Sequence, residues 1–206
     1  MSFGAVRAAY SARSDEYTSL FGSISSTHPV DRELVLSWAR GLPGKVIDAG
    51  CGPGQWTAFL HSAGVDVQGV DLVPEFIETA KQFCPDAQFS VGSLQRLPAP
   101  DDSLAGILAW YSLIHIPPAE ISRVLDEFAR CLKPGGGLLI GFFDGPAGES
   151  FSHAVTPAYF WSLEEMSGRL QEAGFSVIGT HSRADPGVRP HAAIVAQRLL
   201  TPGRVG

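Results

Sequence analysis

Nine residues, Val46 to Gly54, hold the densest chemistry in the chain: an apolar run that ends in Asp48 and then places glycine at 50, 52 and 54. Glycine at that spacing lets a backbone turn sharply and lets a ligand come close where a Cβ would collide. Asp48 sets a negative charge beside the turn, which would repel a pyrophosphate but would accept hydrogen bonds from an ammonium group. A dinucleotide fingerprint would carry its third glycine one place later, where Gln55 stands. A cationic amino acid ligand therefore fits better than NAD. Asp71, 17 residues beyond Gly54, ends a second apolar run at the spacing where a doubly wound fold presents a carboxylate to a ribose. His115 leaves a later apolar strand at the same edge and is stiffened by Ile116, Pro117 and Pro118. An imidazole with an ordinary pKa near 6.5 is a candidate general base there.

The run from Val46 to Gly54 resembles the first motif of the class I S-adenosylmethionine (SAM) methyltransferases. The turn Leu132, Lys133, Pro134, Gly135, Gly136, Gly137 before an apolar strand resembles that family's entry into its fifth strand. The resemblance covers Val46 to Leu199 and implies SAM as cofactor, S-adenosylhomocysteine (SAH) as product and a small molecule as acceptor. It implies that Asp48, Gly50, Cys51 and Gly52 hold the aminocarboxypropyl part of SAM, and that Asp71, with Leu72 beside it, meets the ribose. Gly92, Ser93 and Leu94 fall where the family reads adenine, with serine in the place usually held by an acid. A neutral acceptor is roughly half as strong as a charged one, so the backbone of Leu94 becomes the alternative reader. Trp110 and Tyr111 are expected as a wall for adenine or substrate. Tyr10 and Tyr17 are expected near the SAM methyl group, on a leading segment folded across the cofactor as a lid. Alignment of nucleophile and methyl group can by itself supply roughly 7 to 11 kcal/mol at the well-oriented limit, so no dedicated acid–base pair is required. The alternatives are a SAM-binding or partner-binding module without transfer, signalled by Ser93, and an NAD-dependent oxidoreductase, disfavoured by Asp48 and Gln55.

These residues need a scaffold that brings strand ends together. From Gly44 onward strand and helix patterns alternate, which implies a parallel sheet with right-handed crossovers. Strands are expected at Val46 to Ala49, Val65 to Asp71, Ala87 to Val91, Ser103 to Trp110 and Leu138 to Phe143. Helices are expected from Gln55, from Pro74 to Phe83, and from Pro117 to Cys131. Asp144 to Trp161 reads as an irregular stretch at the ligand edge, Ser162 with Glu165 as a capping box, and Phe175 to Thr180 with Ala192 to Leu199 as a closing hairpin. The expected architecture is α/β: a single Rossmann-like domain over residues 1–206 with a seven-strand, mostly parallel sheet, helices on both faces and the last strand antiparallel. Residues 1–43 form its helical lid segment, with one short helix up to Gly22 and another from Asp31 to Arg40, and residues 44–200 form the cofactor-binding core.

Composition narrows the classes. A length of 206 residues suits one α/β domain with a real core. A formal charge of −6 argues against a protein that grips phosphate backbones, so no nucleic-acid partner is expected. No apolar run is long enough to span a bilayer, and Met1 to Ala12 has neither the basic start nor the apolar centre of a signal peptide, so the cytoplasm is expected. The three cysteines and six histidines lack paired-ligand spacing, and no metal or disulfide is expected. A monomer or homodimer is expected.

Overall fold

The computed structural model describes residues 3–153 and 155–200; the remaining residues of the expected domain lie outside the described ones. Five parallel strands form the centre: β1 (Val46–Ala49), β2 (Val67–Asp71), β3 (Gln88–Val91), β4 (Leu104–Trp110) and β5 (Leu132–Phe143). Two short strands, β6 (Ser150–Phe151) and β7 (Ala158–Tyr159), make a separate ribbon. The strands β8 (Phe175–Arg183) and β9 (His191–Arg198) complete the main sheet in the order β3-β2-β1-β4-β5-β9-β8, with β9 antiparallel to both neighbours. The strand order reverses between β1 and β4, and open α/β sheets bind ligands beyond the carboxyl ends of the strands at such a reversal.

The central strands read as continuous apolar runs because both faces are covered. Successive residues alternate between two cores: Ile140 and Phe142 of β5 face one layer, while Leu139 faces the other. The first layer is completed by α6 (Ile121–Cys131), which buries Ile121, Val124, Leu125, Phe128 and Cys131 along one side, and by α7 (Leu163–Glu172), which buries Met166 and Leu170. The second is completed by α3 (Pro29–Arg40) and α4 (Gln55–Ser62), whose Val35, Ala39, Trp56 and Leu60 are buried. A further helix, α5 (Pro74–Phe83), buries Phe76, Ile77 and Ala80 beside β3.

The leading segment departs from the expected single helix. It forms α1 (Phe3–Ser11) and α2 (Ser14–Phe21), broken at Arg13, whose backbone at φ −129° leaves the helical region. The break brings the rings of Tyr10 and Tyr17 to 5.3 Å, edge to face, where a continuous helix would stack them along one stripe. Elsewhere the differences are small. The first turn after Pro117 is a 3-10 turn, Pro118–Glu120, before α6 begins. The stretch from Leu132 to Gly137 belongs to β5 as an irregularity, since Leu104 pairs with Leu132 and Gly106 with Gly137. The irregular stretch after β5 contains the β6–β7 ribbon, which docks where Tyr159 N–H donates to the Ile114 carbonyl at 2.8 Å. At α7 the Ser162 hydroxyl accepts from Glu165 N–H at 3.1 Å.

Candidate functional site

The β1–α4 turn runs through three left-handed glycines, with φ of +81° at Gly50, +54° at Gly52 and +88° at Gly54. They serve different ends. A Cβ at Gly50 would fall 2.3 Å from the Ser112 Cβ, and one at Gly54 would fall 2.8 Å from Ala80 and 2.9 Å from the Phe89 ring. A Cβ at Gly52 would meet only the Tyr17 ring, at 3.8 Å. Two glycines thus let protein layers close on the turn, while Gly52 leaves room on its outer side for a ligand.

That room is part of a cleft of about 850 Å³, open at its mouth, between the turn and the leading helices. Gly50, Gly52, Asp71, Leu72, Gly92, Leu94, Trp110, Tyr111, His115, Tyr10 and Tyr17 all line it. Three expected residues do not. Asp48 is buried behind the turn, where the Thr57 hydroxyl donates to it at 2.7 Å. The expected contact of its carboxylate with a ligand ammonium is therefore replaced by a contact with α4, because the pleat turns the Asp48 side chain into the α4 layer. Burial raises its pKa to about 7, against the Thr57 hydrogen bond. Cys51 is buried as well, and burial pushes its thiol up. Ser93 turns its hydroxyl back to accept from Gln95 N–H at 3.2 Å, leaving Gly92 and Leu94 on the cleft.

Asp71, expected at the ribose, does line the cleft. Its two carboxylate oxygens accept from Gly52 N–H and Val73 N–H, each at 2.9 Å, so it stitches the β1–α4 turn to the β2–α5 turn while facing the cleft. Burial raises its pKa and the backbone donors hold it down.

The far end of the cleft is built on His115. Its Nδ1 lies 3.0 Å from the Pro157 carbonyl and its Nε2 lies 2.7 Å from the Tyr10 hydroxyl. A carbonyl can only accept, so Nδ1 carries the proton and donates, and the Nε2 lone pair accepts from Tyr10. Burial lowers the His115 pKa and keeps the ring neutral. His153, at 5.1 Å from the His115 ring, is pushed down to about 4, chiefly by burial, with the Arg189 charge adding to it. Tyr10 and Tyr17 also meet Phe76 at 5.9 and 5.3 Å, an aromatic cluster that seats the leading helices on α5. Burial raises both phenols, Tyr17 to about 12.

Sequence reasoning missed Arg7, Val73, Phe76 and Ser112 as cleft residues, and Pro157 as the partner of His115. Ser112 follows the β4 aromatics directly, so its place after an apolar strand was a usable signal; Pro157 lies 42 residues from His115 and had none. The Ser112 hydroxyl is buried on the cleft wall without a hydrogen-bond partner, and Gln55 Oε1, at the start of α4, is likewise buried and unpartnered. The orphaned Ser112 hydroxyl, on the cleft beside the glycine turn, fits a polar cofactor that supplies its partner. Among the described residues no three His, Cys, Asp or Glu side chains gather as metal ligands, and no helix is long and apolar enough to cross a membrane.

Comparison with known proteins agrees with this geometry. Residues 46–136 match the family model for a methyltransferase domain. An uncharacterized methyltransferase of Synechocystis is 30% identical over 146 residues, covering 66% of this chain and 69% of its own length. A demethylmenaquinone methyltransferase of Renibacterium salmoninarum is 26% identical over 176 residues, 79% of this chain and 73% of the relative. The crystal structure of the Burkholderia thailandensis 1,6-didemethyltoxoflavin-N1-methyltransferase, with its substrate and SAH bound, superposes with a TM-score of 0.78 at 21% identity, covering 95% of this chain and 88% of that one. That last likeness is one of fold. The glycine turn, the Asp71 stitch and the matched domain together place the chain in the class I S-adenosylmethionine-dependent methyltransferase family.

Proposed function

We propose that the chain methylates a protonated nucleophile, a hydroxyl or N–H, on a small ring-bearing acceptor, with His115 as the base and Tyr10 as the lid residue that masks it. The observation that carries this reading is the hydrogen-bonded series Pro157, His115, Tyr10 opening on the same cleft as the glycine turn. SAM, when bound, supplies an electrophilic methyl group on a sulfonium. The chain's own residues do the rest. Gly50, Gly52, Asp71 and Leu72 would hold the amino acid and ribose parts, Gly92 and Leu94 the adenine, and Trp110 with Tyr111 would close the wall. Pro157 fixes the imidazole tautomer, and burial keeps Nε2 unprotonated near neutral pH. An acceptor O–H that replaces the Tyr10 hydroxyl at Nε2 would give up its proton there while its oxygen takes the methyl group, the S–CH3 bond breaking to leave SAH as a neutral thioether. The leading helices exclude water from that exchange.

The names of two similar proteins, acting on a demethylmenaquinone and on a didemethyltoxoflavin, support a ring-bearing acceptor. Residues 1–43 would act as lid and residues 44–200 as core of one domain. The three free cysteines support a cytoplasmic setting, with the protein a monomer or homodimer. Transfer of labelled methyl from SAM across a panel of phenols, quinols and ring N–H compounds tests the reading. With a substrate in hand, His115→Ala should lower kcat/KM by about 10²- to 10⁴-fold, with SAH affinity within about twofold. Full turnover in that variant removes the base role.

A further inference from the structure

A second cleft, of about 490 Å³, lies on the other side of Trp110 and Tyr111 from the first, between α3, β8 and β9. Val30, Leu34 and Ala192 give it apolar sides, and Asp31, Arg183 and His191 give it a polar end. Three features of this cleft bear on what it could take.

The first is the backbone of Tyr111. Its φ of +58° is left-handed, a conformation shared among the described non-glycine residues only by Asp102. Asp adopts that region readily, whereas a bulky aromatic is held there by its surroundings, and such residues gather at functional sites. The second is what holds it. Tyr111 N–H donates to the Gly141 carbonyl at 2.9 Å, its hydroxyl bonds to His191 Nδ1, and its ring meets Phe143 at 4.9 Å. The ring is thereby fixed as the partition between the two clefts. The third is Arg183. One nitrogen reaches Asp31 at 3.1 Å and another reaches Asp185, yet Nε is buried with no partner. That N–H is a donor for which the fold supplies no acceptor.

We propose that the second cleft is the entry site for the acceptor and that Tyr111 is the gate between it and the cofactor cleft. This rests on the methyl-transfer reading above. The chemistry of the cleft selects the class of molecule. Arg183 is already countered by Asp31 and Asp185, so a further anion meets net negative charge. An ammonium group has no lone pair to offer the Arg183 Nε–H. An uncharged aromatic ring bearing a hydroxyl or carbonyl oxygen satisfies both conditions, with its face against Trp110 and its oxygen on Arg183. Release of Tyr111 from His191 would then let the ring pass toward the cofactor.

The test uses the full chain, with 2-naphthol as neutral probe and 2-naphthoate and 2-naphthylmethylamine as anionic and cationic controls, by equilibrium dialysis with and without saturating SAH. The proposal expects 2-naphthol to bind at least about tenfold more tightly than either control and together with SAH. Leu34→Trp, which fills the cleft from α3, should weaken 2-naphthol at least about tenfold while SAH affinity stays within about twofold. Val30→Trp, on the exposed rim, gives the same reading if the first variant does not fold. Unchanged 2-naphthol affinity in the filled variants, tighter binding of either charged control, or displacement of 2-naphthol by SAH overturns the proposal. Failure of SAH to bind the unaltered chain is a separate outcome and counts against the methyl-transfer reading instead.

Discussion

Two aspartates at the ends of neighbouring strands have opposite fates, and that contrast makes a pH prediction. Asp48 sits against Thr57 with its pKa raised to about 7. For an acid whose folded pKa exceeds its unfolded value, the stabilising contribution is complete below about pH 4 and is lost as pH rises toward 7. Above that range the cost is a few kcal/mol, at about 1.4 kcal/mol for each pH unit that separates the folded and unfolded values. Asp48→Asn should therefore raise the melting temperature of the cofactor-free protein at pH 8 and leave it nearly unchanged at pH 4. An equal change at both pH values would mean that Asp48 is not protonated in the fold. His153 works in the opposite sense. Its pKa is lowered to about 4, so stability falls as pH drops from about 6.5 toward 4, and His153→Phe should flatten that acid limb of the stability profile. At the cofactor, Asp71→Ala should cost more SAH affinity than Ser93→Ala, by at least tenfold in titration calorimetry. A charged acceptor is worth about 1.5 to 3 kcal/mol, and the Ser93 hydroxyl is already engaged with Gln95. The reverse order would take the ribose away from Asp71.

The leading helices are the element on which closure depends. They touch the body through a few aromatic rings, through Tyr10 on His115 and through the Ser11 hydroxyl on Glu75, and every residue of α2 keeps part of its surface exposed. Elements with so little buried surface open locally at low free-energy cost. Arg7 and Arg13 lie on this segment, so trypsin should cut there first, and saturating SAH should slow those cuts several-fold while cuts elsewhere change little. Equal cutting with and without SAH would reduce the segment to packing. The break at Arg13 was not legible in the sequence, since Tyr10 and Tyr17 one heptad apart suit a continuous helix equally well. What separates the two is the target: the rings converge on Phe76, which only the folded α5 provides.

At the scale of the molecule, the two clefts share one wall at the strand-order reversal, so ligand binding and fold stability are coupled there. SAH at a hundredfold excess over its dissociation constant should add about 2.7 kcal/mol of stability. For a chain of 206 residues that corresponds to a rise in melting temperature of roughly 5 to 10 °C. No rise at millimolar SAH in a folded sample would contradict the cofactor. Asp31 and Arg183, separated by 152 positions, meet across this region, which ties α3 to β8 and makes the second cleft a product of the whole fold.

Local regularities determined a good deal. Continuous apolar runs marked the buried parallel strands, the glycine trio with Gln55 where a dinucleotide turn has its third glycine separated a SAM turn from a dinucleotide one, and the position of His115 after β4 put it at the ligand edge. These are legible because strand burial, backbone conformation and chain order are encoded within a few residues of one another. The direction of a side chain at a strand end is not encoded in that way. Asp48 turned to Thr57 and Asp71 to the cleft, though both close apolar runs, because the pleat and the facing layer decide it. Pro157 on His115, Tyr10 on the same ring and Asp31 on Arg183 join residues 42, 105 and 152 positions apart. No periodicity reaches that far; only the packed sheet brings such groups to hydrogen-bonding distance, and it alone decided which acid, which tautomer and which second cleft this protein has.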